Sequence, residues 1–462
     1  MHLSQPAIIF CIFVLLVPLW VLLKRDFARG LAYAVFLCVL MPTFLRINIS
    51  GGLPQLTIFR LVLISVLFFW LRRRSEWRPI SQIPLFPQLC IWSAVGFVSL
   101  LFTSITFTTS LKRYLDFVLE IYLFYVLLAT TIRTSDEAFL LLRAAWVGLT
   151  MVAVLAVLER YTNINPVYWL VSGEEGRHRD IVATYQHRIL LGAGMAMAFP
   201  LAFGFFNSAF AQAPRPRVLW ISFLLFCAVS YFAQSRGPWL AAMLAGGVLM
   251  LRATQPTRKR LMVLGLVAMM ALASRPGVWE TLSDRVSATA DSKSFKGGTM
   301  QYRLELWKVA WAQVTQSTQT FFFGYGPGCG SETEIDWTLS YRGQEYGISS
   351  WDNQFAYDLF QSGFVGLIAS LILYGSALLF LYRTWVTADP ANRDLVLTLF
   401  ASALALVFMM TNVLIFAKQL YYLFWTLVAT APLLARKTTL QPQFDAEMES
   451  ELDDASPAQR LA

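Results

Sequence analysis

The chain has 462 residues and a net charge of +9, with 57% apolar and only 14% charged residues and a mean hydropathy of +0.55. A soluble chain carries about a quarter charged residues, so this composition excludes an ordinary soluble domain and points to a membrane protein. The positive charge forms no basic stripe on a soluble domain, which argues against a nucleic-acid partner; Lys and Arg gathered in cytoplasmic loops account for it.

Apolar runs long enough to cross about 30 Å of hydrocarbon as helices recur along the chain. They predict an all-α polytopic fold of about 12–13 transmembrane helices, centred near residues 15, 38, 62, 94, 122, 148, 198, 225, 245, 267, 373, 405 and 426. The first run, Ala7 to Leu23, lacks a basic leader and a small-residue cleavage site, and reads as a retained span. Four of the five cysteines (Cys11, Cys38, Cys90, Cys227) fall in apolar runs, and Cys329 has no evident disulfide partner. No fixed-period repeat is visible, which gives a repeat-built transporter no support.

Charges inside spans are costly and normally pair. Arg60 lies in the third run, and Asp116 and Glu120 lie one helical turn apart in the fifth. A bridge from Arg60 to either carboxylate is the favoured reading over a proton path.

The distribution of Lys and Arg places the N-terminus outside by a bias of about two to one. The organisation is then residues 1–274 with helices 1–10, a long periplasmic loop at 275–351 with an amphipathic helix, residues 352–437 with helices 11–13, and a disordered acidic cytoplasmic tail at 438–462. Within the loop, Met300 to Thr318 has helical spacing of Leu304, Leu306, Trp307, Ala310, Trp311 and Val314. The run Gly324-Tyr325-Gly326-Pro327-Gly328-Cys329-Gly330 is too glycine-rich for a helix or strand interior.

Arginines on the outer side run against the charge rule and call for a reason. Arg236 sits in the tight turn Gln234-Ser235-Arg236-Gly237-Pro238, Arg303 opens the amphipathic helix, and Arg177, Arg179 and Arg188 crowd His178 and His187. Guanidinium groups there suit a phosphate or diphosphate, because the planar fork binds two oxygens at once. Lipid headgroups or internal carboxylates are the alternative partners. Asp352 is a candidate general base or, alternatively, a helix cap; Glu334, Asp336 and Glu345 are other candidate bases. Glu334-Ile335-Asp336 could hold a divalent ion, although acidic pairs in exposed loops are usually solvated.

Three ordered segments resemble the O-antigen ligase and Wzy-type polysaccharide polymerase family. They are Ser235-Arg236-Gly237 with the apolar run after it, then Arg303-Leu304-Glu305-Leu306-Trp307 with Phe323-Gly324-Tyr325-Gly326-Pro327-Gly328, and finally Asp352-Asn353-Gln354-Phe355 with Gly363-Phe364-Val365-Gly366-Leu367. The stretch Arg179 to Gly192 is a looser match. The resemblance implies a GT-C-like membrane glycosyltransferase in a bacterial inner membrane, its active site facing the periplasm. The donor would be an oligosaccharide on undecaprenyl diphosphate and the acceptor a second glycan. Arg236 and Arg303 would hold the diphosphate without metal or other cofactor, with Asp352 as base. Arg179, Arg188, His187, Tyr325, Asn353 and Glu334 would bind substrate. A chain-length regulator and a flippase of the same pathway are the protein partners this role implies.

Ligases of that family carry a His before the Asn of the third segment, where this chain has Asp352. A polymerase is therefore favoured over a ligase that transfers glycan to lipid A core. A lipid-linked sugar flippase and a non-catalytic scaffold are the rivals from other classes.

Overall fold

A computed structural model describes residues 5–42, 45–47, 56–73, 76–165, 167, 180–206, 208, 210, 213–273, 295–332, 338–341, 344–347 and 351–436. Helices dominate: α1 (Gln5–Arg25), α2 (Phe27–Leu40), α3 (Ile58–Arg72), α4 (Phe86–Leu101), α5 (Phe107–Phe117), α6 (Leu123–Thr131), α7 (Ser135–Thr162), α8 (Arg188–Phe206), α9 (Pro216–Phe232), α10 (Arg236–Arg252) and α11 (Gln255–Ala273) form the first part. After them come α12 (Phe295–Val314), α13 (Thr318–Phe323), α14 (Cys329–Glu332), α15 (Gln354–Val386), α16 (Arg393–Met410) and α17 (Lys418–Leu434). The centres read from hydropathy fall within these helices or, for residue 122, in the π turn that joins α5 to α6. The only strands among the described residues are two short antiparallel pairs, β1 (Arg46–Ile47) with β2 (Leu56–Thr57) and β3 (Thr338–Tyr341) with β4 (Gln344–Gly347). The second pair lies in the second half of the long loop, which the sequence reads as turn-rich.

Six of the described helical segments are long and apolar enough to cross a membrane, namely Ile8–Arg25, Phe107–Thr131, Ser135–Thr162, Arg188–Phe206, Gln354–Val386 and Arg393–Met410. Others are shorter than hydropathy suggests; α2, for example, has 14 residues. At about 1.5 Å per residue, it reaches roughly 21 Å. Irregular backbone at membrane depth is tolerated where protein covers it, and α2 is buried along most of its length.

The bundle is centred on α17, whose side chains are buried almost throughout, with α8 and α16 beside it. Helix α8 is rich in small residues (Gly192, Ala193, Gly194, Ala196, Ala198), which let neighbouring backbones approach closely. Ser402 of α16 accordingly donates to the carbonyl of Met197 at 2.8 Å. At one end, Asp394 accepts from the Thr254 amide at 2.9 Å, from the Thr254 hydroxyl and from the Thr257 hydroxyl at 2.6 Å, tying α16 to the start of α11.

At the opposite end the expected intramembrane bridge is closed, and more extensively than the sequence suggests. Arg60 reaches Glu120 at 2.6 Å and also pairs with Asp116, while Lys418 donates to the second oxygen of Glu120 at 2.7 Å. Glu120 lies in the π turn Val118–Tyr122, a wide turn of a kind frequent at functional sites.

Helix α15 is too long for one span. Its 33 residues are interrupted at Gly363 (φ 65°, ψ −167°). The 23 residues after the break reach about 34 Å, enough to cross hydrocarbon alone, so the turns before it form a separate outer piece. The glycine-rich run packs into this break. Gly324, Gly326 and Gly328 all have positive φ, and the Ser99 hydroxyl lies against both the Phe323 and the Gln361 carbonyls, at 2.7 and 2.8 Å. The break and the glycine-rich run form one interlocked joint.

Candidate active site

The end of the bundle that holds the joint also gathers most of the candidate residues. Asp352 stands just before α15, and Asn353 is the residue that caps the helix: its Oδ1 accepts from the amides of Phe355 and Ala356 at 2.9 and 3.1 Å. Its Nδ2 donates to the Thr411 carbonyl at 2.8 Å. Asn353 is thus held as a cap and tie, and the capping role weighed for Asp352 belongs to its neighbour. Gln354 secures the same connection by accepting from the Ile415 amide at 3.1 Å.

Arg303 reaches this place on α12. Leu306, Ala310 and Val314, spaced one turn apart, are fully buried and cluster with Trp351, Ala356, Leu359 and Phe360 at the start of α15. Leu304 and Trp311 are exposed, as on an amphipathic helix. Position 303 precedes Leu306 and Ala310 on the packed face, so Arg303 is carried toward Asp352. Burial lowers its pKa, and the negative charge of Asp352 acts in the opposite direction. Its Nε–H is buried and donates to no group among the described residues.

His187 comes from a distant part of the chain. The segment before α8 is pinned by the Glu159 carboxylate, which accepts from the Val182 and Ala183 amides at 3.1 and 2.7 Å. The Asn165 side chain donates to the Ala183 carbonyl at 2.9 Å, and Gln419 donates to the Thr184 carbonyl at 3.1 Å. Ala183 and Gln186 are both held at positive φ, 46° and 64°. Strained backbone of this kind persists only where the surroundings over-determine it, and it clusters at functional sites. The His187 Nδ1 accepts from the Ile189 amide at 3.3 Å, which leaves Nε2 as the protonated nitrogen of the neutral ring. Burial and the neighbouring Arg188 charge lower the His187 pKa, while Asp352 and Asp180 raise it. Asp352 therefore acts electrostatically on both Arg303 and His187.

Arg236 is the first residue of α10 and lies partly buried. A Cβ on Gly192 of α8 would lie 2.6 Å from the Pro238 ring, and one on Gly237 would lie 3.4 Å from Met409. The start of α10 is thereby wedged against α8 and the end of α16, beside the 411–417 turn that Asn353 and Gln354 bind. The ring of Phe416 in that turn meets His187 edge-on at 6.1 Å.

Other candidates are placed differently. Arg188 forms a 2.9 Å ion pair with Asp180. Tyr325 stacks on Phe360 with ring centroids 4.9 Å apart and donates to the Gln313 carbonyl at 3.1 Å, which sets it in the loop's own packing. Arg177, His178, Arg179, Glu334 and Asp336 lie outside the described residues, as does the side chain of Glu345. The arrangement of Asp352, Arg303 and His187 joins three segments far apart in sequence, and no local spacing signals it.

Fold and site together define a polytopic helical membrane protein with a cationic, carboxylate-bearing site at one end of its bundle. Residues 221–371 match the family model described as O-antigen ligase, and over that segment the chain is similar to this family. The match contains Arg236, Arg303 and Asp352; His187 lies outside it. No curated protein matches the chain.

Proposed function

We propose that the protein is a polysaccharide polymerase of the bacterial inner membrane, working at the periplasmic face. The donor is a glycan on undecaprenyl diphosphate, and the acceptor is a second glycan. The observation that carries this reading is the electrostatic grouping of Asp352 with Arg303 and His187, inside a bundle whose family-matched segment also supplies Arg236.

In the reaction, an acceptor hydroxyl attacks the anomeric carbon of the donor. Its proton passes to Asp352, the new glycosidic bond forms, and the bond from carbon to diphosphate oxygen breaks. Charge develops on the departing undecaprenyl diphosphate, and Arg236 and Arg303 stabilise it. Fixed cations in a water-poor site do this without reorganising during the reaction. The Nε–H of Arg303, which donates to no group among the described residues, is a donor suited to one phosphate oxygen. A chain-length regulator and a flippase of the same pathway would supply and limit the substrate.

A second reading, transfer of the glycan to lipid A core, draws on His187. The family's third segment offers Asp352 where ligases carry His, yet His187 brings an imidazole into the field of that carboxylate. Deleting the gene in its host separates the readings on a gel of surface polysaccharide. Loss of long chains with single repeat units retained identifies a polymerase. Loss of glycan from lipid A, with long lipid-linked chains accumulating, identifies a ligase. Normal polysaccharide in the deletion strain rejects both.

A further inference from the structure

A cavity of about 260 Å³ lies between α4, α5, the outer piece of α15 and residues 414–421. None of Arg236, Arg303, Asp352 or His187 lines it. It nonetheless adjoins their site at two points. Gln354, two residues after Asp352, is in its wall, and Phe416, which meets the His187 ring, closes its near side. Pro327 and Gly328 of the glycine-rich run form part of its rim.

The lining is of three kinds, and its charged members besides Asp358 are Arg113, Asp116 and Lys418, of which Asp116 pairs with Arg60 and Lys418 with Glu120. One wall is the polar face of the outer piece of α15, with Gln354, Asp358 and Gln361 at helical spacing. Asp358 is 6% exposed, and its Oδ1 accepts from the Gln354 side chain at 2.8 Å. Gln354 is itself fixed by the Ile415 amide and by the Tyr421 hydroxyl at 3.3 Å. Aromatic rings also line it, Trp92 from α4 and Tyr114 and Phe117 from α5. Trp92 is fixed by donating to the Ser370 hydroxyl at 2.8 Å, and Tyr114 by donating to the Ser93 carbonyl at 2.8 Å. Asp358 Oδ2 accepts from no group among the described residues, and a carboxylate acceptor in a cavity also lined by fixed aromatic rings suits a ring that is polar at its edge and C–H-bearing on its face.

We infer that this cavity is the acceptor subsite of the proposed transferase and holds the terminal sugar ring of the acceptor glycan, with Asp358, positioned by Gln354, addressing its hydroxyls. The inference rests on the proposed function and deepens it. The volume lies just below the usual range of about 300–1,000 Å³ for small-molecule sites, which fits one sugar ring and not an oligosaccharide. A two-substrate transfer needs the acceptor hydroxyl beside the base while the donor diphosphate occupies the cations. The wall shared through Gln354 and Phe416 gives that adjacency.

The test uses the full-length protein in lipid nanodiscs, with one repeat unit released from its lipid and capped as the methyl glycoside as the acceptor probe. Wild type, Asp358→Asn and Val95→Phe are compared, the last filling the cavity from α4 without removing a polar group. A diazirine derivative of the probe is photo-crosslinked and the adducts are mapped by mass spectrometry. Expected are adducts on the peptides carrying Trp92–Gly96 and Tyr357–Gly366, reduced at least tenfold by Val95→Phe. The KM for the probe should rise at least tenfold in both variants, with the KM for the lipid-linked donor unchanged. Adducts confined to other peptides, or undiminished by Val95→Phe, overturn the inference, as does a rise in donor KM in place of probe KM. Crosslinking reads the subsite without turnover, so specific adducts in a wild type that transfers no sugar would reject the transferase reading and leave a saccharide-binding cavity. Absence of adducts in an active wild type rejects the subsite alone.

Discussion

Gly324 and Gly363 each lie against the backbone beside the other: a Cβ on Gly324 would stand 2.5 Å from the Gln361 carbonyl, and one on Gly363 would stand 2.4 Å from that of Phe322. Both have positive φ, 68° and 65°, so a side chain at either is strained as well as crowded. The joint fixes the outer piece of α15, and with it Asp352, relative to the spanning part. Gly363→Ala is expected to destabilise the protein by at least about 1–3 kcal/mol, the cost of a non-glycine residue in such a conformation. Thermal unfolding in detergent checks this; an unchanged melting temperature would show that the break is not needed.

The Arg60–Glu120–Lys418 bridge calls for a different test. Glu120 is almost wholly buried and serves two cations, so Glu120→Ala leaves both without their shared carboxylate. Removing one member of a buried ion pair costs about 3–5 kcal/mol. The expected result is a large fall in melting temperature or loss of folded protein, and a smaller fall for Asp116→Asn, whose side chain is 30% exposed. Comparable losses in the two variants would contradict this ranking.

His187 sets a pH dependence. Burial first, then Arg188, holds its pKa below the ordinary 6.5, against the opposing charges of Asp352 and Asp180. The unfolded chain therefore takes up a proton at a pH where the folded site still resists it. This contribution to stability is fully present above about pH 6.5 and is lost as the pH falls through the folded value. The melting temperature of wild type should fall more between pH 7.5 and pH 5 than that of His187→Gln. Equal falls would show that the ring titrates as freely in the fold as in the unfolded chain.

A variant at the far end separates stability from chemistry. Asp394 accepts from three donors on the Thr254–Thr257 turn, and Asp394→Ala removes that shared acceptor. A cost of about 1–3 kcal/mol is expected, while the protein that remains folded keeps its rate of sugar transfer. A specific activity reduced tenfold or more would show that this end is coupled to the site.

The helices were legible because apolar runs fix their positions, and the Arg60 bridge because an ionised group in a span demands a partner. Lys418 as a second partner was not, since only tertiary packing joins positions 120 and 418. Arg236 and Arg303 stood out as arginines against the charge rule. The approach of His187 to Asp352 could not be read, because it depends on how Glu159, Asn165 and Gln419 pin the segment before α8. Asn353 read as a substrate contact, whereas capping geometry and the tie to Thr411 occupy both ends of its side chain. The cavity beside the site could not be read either, because only tertiary packing brings α4, α5, the glycine-rich run, α15 and residues 414–421 together.

The most direct test of the central claim is sugar transfer by purified protein in nanodiscs, supplied with undecaprenyl-diphosphate-linked repeat units. Wild type is expected to lengthen the glycan and release undecaprenyl diphosphate. Arg236→Ala and Arg303→Ala should each lower the rate by about 10²–10³-fold, the usual loss for one stabilising donor, and Asp352→Asn by about 10²–10⁴-fold, as for a general base. Folded variants that all transfer at the wild-type rate would contradict the assignment of this site.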